Sequence, residues 1–297
     1  MSAETAVKAF RKLENEDIRV LQVIESAMSK HEFVPKEVIA KFAGYNMNET
    51  VFRLNKLTKL HLIRHTQTPY VGYTLNYAGY DCLAINALVK ANALESFGKP
   101  LGVGKEADVY DALNPKGERI AVKFHRLGRI SFRQTIRKRG YTIKKTNWLY
   151  QSKLAAEKEF KALKLVYPKG VAVPKPIKQN RHVLAMGMIE GAELAELKEI
   201  PEPRKILKKI LLNVRKTYLK AGVVHADLSE YNVILKPDLN VLIIDWPQYV
   251  TKEHPNAEQL LTRDVKNILT FFRRKCKLKL KLEDALAYVR GELKTIF

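Results

Sequence analysis

Two carboxylates and an amide stand at intervals that could perform chemistry. From Val223 the chain reads Val-Val-His225-Ala-Asp227-Leu-Ser229-Glu-Tyr-Asn232-Val-Ile-Leu, turns, and resumes as Val-Leu-Ile-Ile-Asp245. Two short apolar strands thus flank a polar loop, and the second strand ends on an acid. Phosphoryl transfer asks little covalent work of a protein. It needs one carboxylate at the attacking hydroxyl and oxygen ligands for Mg²⁺ beside the phosphates. Asp227, Asn232 and Asp245 supply that set, with Asp227 as the catalytic carboxylate and Asn232 and Asp245 as metal ligands.

The Asp-x-x-x-x-Asn interval equals that of the protein-kinase catalytic loop, and Asp245 lies at a strand end, where a metal-binding Asp belongs. A nucleotide also needs its phosphates held. Gly98 to Tyr110 contains Gly102-Val103-Gly104-Lys105-Glu106, in which glycines let backbone N–H groups approach phosphates and Lys105 adds charge. This is no Walker loop, because the Gly-Lys-Ser/Thr ending is missing. Ala107 to Leu113 reads as a strand, which also argues against a Rossmann loop. Arg119 to His125 forms another strand carrying Ala-Val-Lys123, a lysine placed to reach phosphates and in need of a carboxylate partner. The helix from Ser152 to Tyr167 offers Glu157 or Glu159. Val183 to Ile189 then reads as an apolar strand that could link two lobes.

Other elements must position these groups. Asp17 to about Ser29, Pro35 to about Phe42, and a stretch from Asn46 or Asn48 through Leu60 read as three helices. Two strands follow, Leu62 to Thr66 and Tyr70 to Leu75. Three helices and a hairpin are the pattern of a winged helix, whose third helix would present Arg53, Lys56 and Lys59 outward to a nucleic acid. A protein-docking role suits the same pattern. Asn76 to about Leu94 reads as a connecting helix, Arg204 to Ala221 as the helix before the catalytic loop, and Ala257 to Phe297 as two helices joined by a basic run in which a Lys-Leu alternation could instead be a strand.

Bulk properties narrow the classes. The 297 residues are 46% hydrophobic and 28% charged, and no apolar run approaches a membrane span. The first thirty residues lack the apolar core of a signal peptide. Cys82 and Cys276 have no partners at ligand spacing, which excludes a disulfide framework and a zinc site. The expected location is cytoplasmic. A net charge of +22 favours a polyanionic partner, and most of the excess follows residue 90, where 41 Lys/Arg face 22 Asp/Glu. Lys123 to Lys145 holds nine basic residues and no acid.

With both halves in view the chain resembles the RIO family of atypical serine protein kinases, in the winged-helix subfamily. The matching words are Gly102 to Tyr110, Val122 to Arg129 with Ser131-Phe-Arg133, Val173 to Pro176 with Asn180-Arg-His182, His225 to Asn232, Ile244 to Gln248, and His254 to Ala257 with Arg263-Asp-Val265. The resemblance implies an α+β chain: a winged helix over 1–76, a connecting helix over 77–97, a kinase N-lobe over 98–190 with a flexible basic loop at 126–147, and a reduced C-lobe over 191–297. It explains why only 52 residues follow Asp245 with no Ala-Pro-Glu segment, too few for the peptide-holding subdomain of ordinary protein kinases.

The same resemblance implies that Gly102, Val103, Gly104, Lys105, Glu106, Val109, Lys123, Glu159, Met186, Ile189 and Ser229 bind ATP. Among them Lys123 and Glu159 form a pair, and Met186 to Ile189 face adenine. Asn232 and Asp245 would hold Mg²⁺ or Mn²⁺, and Ser131 would be an autophosphorylation site. Gly187, where relatives tend to carry Glu, and Trp246, where they often have Phe, are departures. The family implies small ribosomal subunit maturation, with the precursor subunit and its rRNA as partners of a monomer. Two other readings remain: a nucleotide-sensing winged-helix binder without turnover, and a small-molecule phosphotransferase.

Overall fold

A computed structural model of the chain describes residues 3–127 and 148–297. Ser131 and all of the 126–147 basic loop except its first two residues lie outside that range. The chain divides into two compact units, residues 1–154 with 178–185, and residues 155–177 with 186–297.

The first unit opens with α1 (Glu4–Phe10) and α2 (Asn15–Ala27). Asp17 does not open α2, the start read from the sequence, because the helix begins at Asn15. It lies in the first turn, where its side chain accepts the Glu14 N–H at 2.9 Å. The strand β1 (Val34–Pro35) leads into α3 (Lys36–Ala43), which Gly44 ends in the left-handed conformation. Asn46 caps α4 (Met47–Lys59) by accepting the Glu49 N–H at 2.8 Å. Then β2 (Ile63–Thr66) and β3 (Gly72–Leu75) complete a three-stranded sheet in the order β1-β3-β2. Leu21, Ile24, Ile39, Leu54, Leu57 and Leu62 fill the core of this winged helix. The helix α5 (Tyr77–Lys90) follows.

The outward placement expected for α4 is corrected. Leu54 and Leu57 turn inward as the spacing requires, but Arg53 is only 12% exposed and pairs with Glu14, Glu49 at 2.6 Å and the buried Asp17. Lys56 reaches the same Asp17 at 2.6 Å. A fully buried carboxylate recruits any cation within reach, because leaving it unpaired is costly. Of the three, Lys59 is the exposed one.

Beyond α5 come β4 (Ser96–Val103), β5 (Ala107–Leu113) and β6 (Arg119–His125), then β7 (Pro176–Asn180) and β8 (Val183–Gly187), in a sheet ordered β4-β5-β6-β8-β7. The Asn114 side chain accepts the N–H groups of Lys116 and Glu118 at 2.9 and 3.0 Å, which sets the β5–β6 turn. The β4–β5 register shifts on either side of Pro100, a residue that cannot donate to the ladder.

Beneath this sheet lies a buried ion cluster. Asp81 of α5 grips Arg126 with two 2.7 Å bonds, Arg126 Nε reaches Asp108 at 3.2 Å, and the Arg126 guanidinium sits 5.0 Å from the centre of the Tyr77 ring. His182 donates from Nε2 to Asp81 at 2.6 Å and stacks on Tyr80 at 4.7 Å. Burial pushes His182 down to about 4, so it is neutral at pH 7, and its buried Nδ1 has no hydrogen-bond partner among the described residues. The neighbouring Arg181 holds Glu25 of α2 at 2.8 and 2.5 Å. These pairs tie α2 and α5 to the β6 end and the β7–β8 turn.

The second unit contains most of α6 (Trp148–Val166), then β9 (Ala192–Glu193), α7 (Pro203–Lys216), β10 (Val223–Val224), β11 (Val233–Leu235), β12 (Val241–Ile243), β13 (Val250–Thr251), α8 (Ala257–Cys276) and α9 (Leu282–Arg290). Ile206, Leu207, Ile210, Leu211 and Val214 form the buried stripe of α7. Gly191 sits at φ +125°, and a Cβ there would meet the Leu235 carbonyl at 2.2 Å, so this approach to β11 requires glycine. The Lys-Leu alternation at 277–281 is neither helix nor strand but an irregular link between α8 and α9, with Leu278 and Leu280 half-buried and Lys277, Lys279 and Lys281 exposed.

Among the described residues, no helix is long and apolar enough to cross a membrane. Cys82 and Cys276 are both free thiols.

Candidate active site

In the second unit the loop carrying Asp227 is built between β10 and β11. Ala226 takes φ +66°, a conformation unusual outside glycine, and this turns the chain sharply before an exposed Asp227. Three residues of α8 hold the turn. Asp264 accepts the N–H groups of Ala226 at 2.7 Å and Leu228 at 3.1 Å, on either side of Asp227. Arg263 donates to the Ala226 carbonyl, and Asn267 donates to that of Leu228 at 3.1 Å. Burial lifts the Asp264 carboxyl to about 7, against the pull of those two backbone donors.

A one-turn helix at Glu230–Asn232 then brings Asn232 back, so that its Nδ2 donates to the Asp227 carbonyl at 2.7 Å. The backbone N–H of Ile244 donates to the Asn232 carbonyl at 3.0 Å, and β11 and β12 pair Val233 with Ile243. These bonds carry Asp245, at φ +67°, to the side of Asn232. His225 anchors the same turn by donating from Nε2 to the Ile244 carbonyl at 3.0 Å, with its ring 4.5 Å from that of Trp246. Burial depresses the His225 pKa, so the imidazole is neutral and serves as scaffold.

The donor set suits a hard divalent cation. Asn232 commits Nδ2 to the loop, so a cation would meet its Oδ1, and Asp245 would add a carboxylate. Glu193 on β9 titrates high because of burial, with Glu196 and Asp245 raising it further. Such crowding of acids favours a cation. No cluster of three His, Cys, Asp or Glu occurs among the described residues; Mg²⁺ takes one or two carboxylates and completes its shell with phosphates and water.

In the first unit, strand register does what sequence spacing could not state. Gly102 of β4 pairs with Val109 of β5, and Val109 pairs with Lys123 of β6, so the three lie side by side across the sheet. Val103, Gly104, Lys105 and Glu106 form the exposed tip, closed by the Gly104 N–H to Ala107 carbonyl bond at 2.8 Å. The Arg126 N–H also donates to the Glu106 carbonyl at 2.6 Å. Lys123 is 7% exposed on its strand. In the second unit Glu159 is 2% exposed on α6, whereas Glu157 is exposed; Met186 is buried at the end of β8, Ile189 is half-buried beyond it, and Ser229 opens the one-turn helix. The burial of Glu159 matches a carboxylate held for a partner better than the exposure of Glu157 does.

Sequence reasoning missed Asp264 and Asp81. Each is a buried acid on the apolar face of its helix, at 1% and 0% exposure, and an acid at a core-facing position is the signal that could have flagged both.

Profiles of two families match the chain: the RIO domain over residues 108–285 and the Rio2 N-terminal domain over residues 10–91. The RIO-type serine/threonine-protein kinase Rio2 of Methanocaldococcus jannaschii is 41% identical over 264 residues, covering 86% of this chain and 95% of the relative. Serine/threonine-protein kinase rio2 of Dictyostelium discoideum is 37% identical over 270 residues, and the match spans 90% of this chain but only 52% of that longer protein. A crystal structure of the Rio2 kinase-ADP/Mg²⁺-phosphoaspartate complex from Chaetomium thermophilum superposes with a TM-score of 0.81 at 32% identity, over 97% of this chain and 94% of the other. The matches cover the winged helix and the site together, and the chain belongs to the Rio2 family of RIO-type serine/threonine-protein kinases.

Proposed function

We propose that the chain is an ATP- and Mg²⁺-dependent RIO-type serine kinase and ATPase that acts in maturation of the small ribosomal subunit. The observation that carries the catalytic part is the closure of Asp227, Asn232 and Asp245 into one turn through the 2.7 Å and 3.0 Å bonds described above. The ribosomal part rests on the family and on the +22 charge. A polyanionic partner accounts for a charge of that size, and rRNA is the polyanion the family supplies.

In this reading the glycine tip 102–106 and Lys123 hold the phosphates, Glu159 pairs with Lys123, and Met186 to Ile189 receive adenine. Asn232 and Asp245 hold Mg²⁺, which when bound neutralises charge on the phosphate oxygens. Asp227 orients an acceptor hydroxyl and takes its proton as the oxygen bonds to the γ-phosphorus; the bond from that phosphorus to the bridging oxygen breaks, and ADP leaves. Ser131 is one acceptor the chain itself offers. The C. thermophilum complex is named for a phosphoaspartate, and an acid of this site could accept the phosphoryl group likewise, with water later returning the carboxylate and releasing phosphate.

The test follows γ-labelled ATP with Mg²⁺ and small ribosomal subunits, comparing wild type with Asp227→Asn and separating free phosphate from protein-bound label. Loss of subunit-stimulated phosphate release in the variant supports the reading. Binding of subunits by the wild type without any ATP turnover would replace it with a nucleotide-sensing binder. Label discharged by hydroxylamine would identify an acyl phosphate, and stable label a phosphoserine.

A further inference from the structure

The charge that argues for RNA has to be presented somewhere, and α4 presents little of it. Arg53 and Lys56 are engaged by Glu14, Glu49 and Asp17. The second unit differs. Residues 273–281 hold six Lys/Arg and no acid, and all six cations are exposed. Lys277 caps α8 in the left-handed conformation at φ +56°, and beyond it Lys279 and Lys281 alternate with the half-buried Leu278 and Leu280 along the link to α9. The half-buried leucines leave the three lysines as a row of exposed cations.

This row borders an open cavity of about 510 Å³, into which α7 brings Arg204 and Lys205 while the α8 end brings Cys276 and Lys277. One acid, Glu202, lines it as well and pairs with Lys205 at 3.0 Å. Within the basic run Arg274 pairs with Glu230, between Asp227 and Asn232, at 3.1 Å.

We propose that the face formed by Lys277, Lys279 and Lys281 with Arg204 is a docking surface for the phosphate backbone of RNA. This rests on the reading of an rRNA partner and adds where the contact is made. A run of exposed cations suits a polymer with a repeated anion. The inward-facing leucines leave no apolar ridge of the kind that an interfacial membrane segment buries. Backbone contacts of this type position an RNA without reading its sequence.

The test uses the full chain, a short labelled single-stranded RNA and fluorescence anisotropy over a range of salt concentrations. Each neutralised phosphate of a single strand contributes about 0.7 to the slope of log K against log salt. The triple variant Lys277→Gln/Lys279→Gln/Lys281→Gln should lose about 2 from that slope, while ATP turnover without RNA stays at the wild-type rate. Lys59→Gln should leave the slope nearly unchanged. An unaltered slope in the triple variant, or a loss confined to Lys59→Gln, would overturn the proposal. So would wild-type binding of poly-glutamate or of phosphatidylserine vesicles as tight as that of RNA and lost in the same variant, since the face would then serve an acidic protein or a membrane. Asp227→Asn separates the two readings, because it removes turnover and leaves RNA binding intact if both hold.

Discussion

Asp264 accepts the backbone N–H of Ala226 at 2.7 Å, one residue before Asp227. Its second bond, from the Leu228 N–H at 3.1 Å, closes the bracket on the other side. A carboxylate can accept both, whereas an amide at this position must turn its NH₂ toward one of the two donors.

Asp264→Asn should therefore lower ATP turnover by about tenfold to a hundredfold, the range for losing one charge-assisted hydrogen bond of about 1.5–3 kcal/mol that positions the loop. The KM for ATP should change little, because the glycine tip and Lys123, proposed to hold the phosphates, are remote in sequence. Steady-state kinetics checks this, and a thermal melt shows whether the variant remains folded. A large rise in KM with unchanged kcat would refute the positioning role.

Asp227→Asn and Asp245→Asn should fail differently. In the proposed mechanism the first removes the group at the acceptor and should cost at least about 10² in turnover while Mg²⁺-dependent binding of a non-hydrolysable ATP analogue persists. The second removes a proposed metal ligand, so the analogue should bind with a much weaker dependence on Mg²⁺. Isothermal titration at several Mg²⁺ concentrations distinguishes them, and identical behaviour of the two variants would contradict the roles assigned.

The Asp81–Arg126 pair is buried on both sides, at 1% side-chain exposure each. Breaking such a pair strands a charge, and Arg126→Met should destabilise the chain by about 3–5 kcal/mol in urea unfolding. Adding Asp81→Leu should restore part of the loss, because it removes the stranded Asp81 carboxylate, while Asp108 still loses its bond to Arg126 and His182 its bond to Asp81. A double variant no more stable than the single would count against the pair as the cause.

Acid should weaken the first unit through His182. Its folded pKa of about 4 lies below the ordinary 6.5, so between those values the unfolded chain binds more protons, and stability falls as pH drops through that window. At pH 5 the contribution lost is about 2 kcal/mol relative to pH 7. Asp81, Arg126 and His125 face this ring, and Asp81, which supports the imidazolium, remains ionised there because Arg126 and His182 offset the effect of its burial. Asp264 contributes with the opposite sign, since its raised pKa favours the folded state as pH falls below about 7. Comparing His182→Gln with wild type at pH 7 and pH 5 isolates the histidine, and the variant should lose less stability on acidification.

Much of the architecture was legible in order along the chain. The apolar spacing in α2 to α4 and the Asn and Gly residues at their ends mark the winged helix, and Ala107 to Leu113 and Arg119 to His125 are strands with the bounds the sequence predicts. Short elements escaped notice: β1 has two residues and exists only because β3 pairs with it.

The sequence by itself determined the chemistry on offer, because Asp227, Asn232 and Asp245 lie close enough along the chain for one loop and one hairpin to join them. Tertiary structure decided which charges do what. Arg53, Lys56 and Lys277 look alike in sequence, yet the first two meet a buried acid from another helix and the third meets solvent. Asp81 and Asp264 likewise acquire their roles from partners 45 and 38 residues away. Charge pairing is set by distance through space and by burial, and local spacing carries neither.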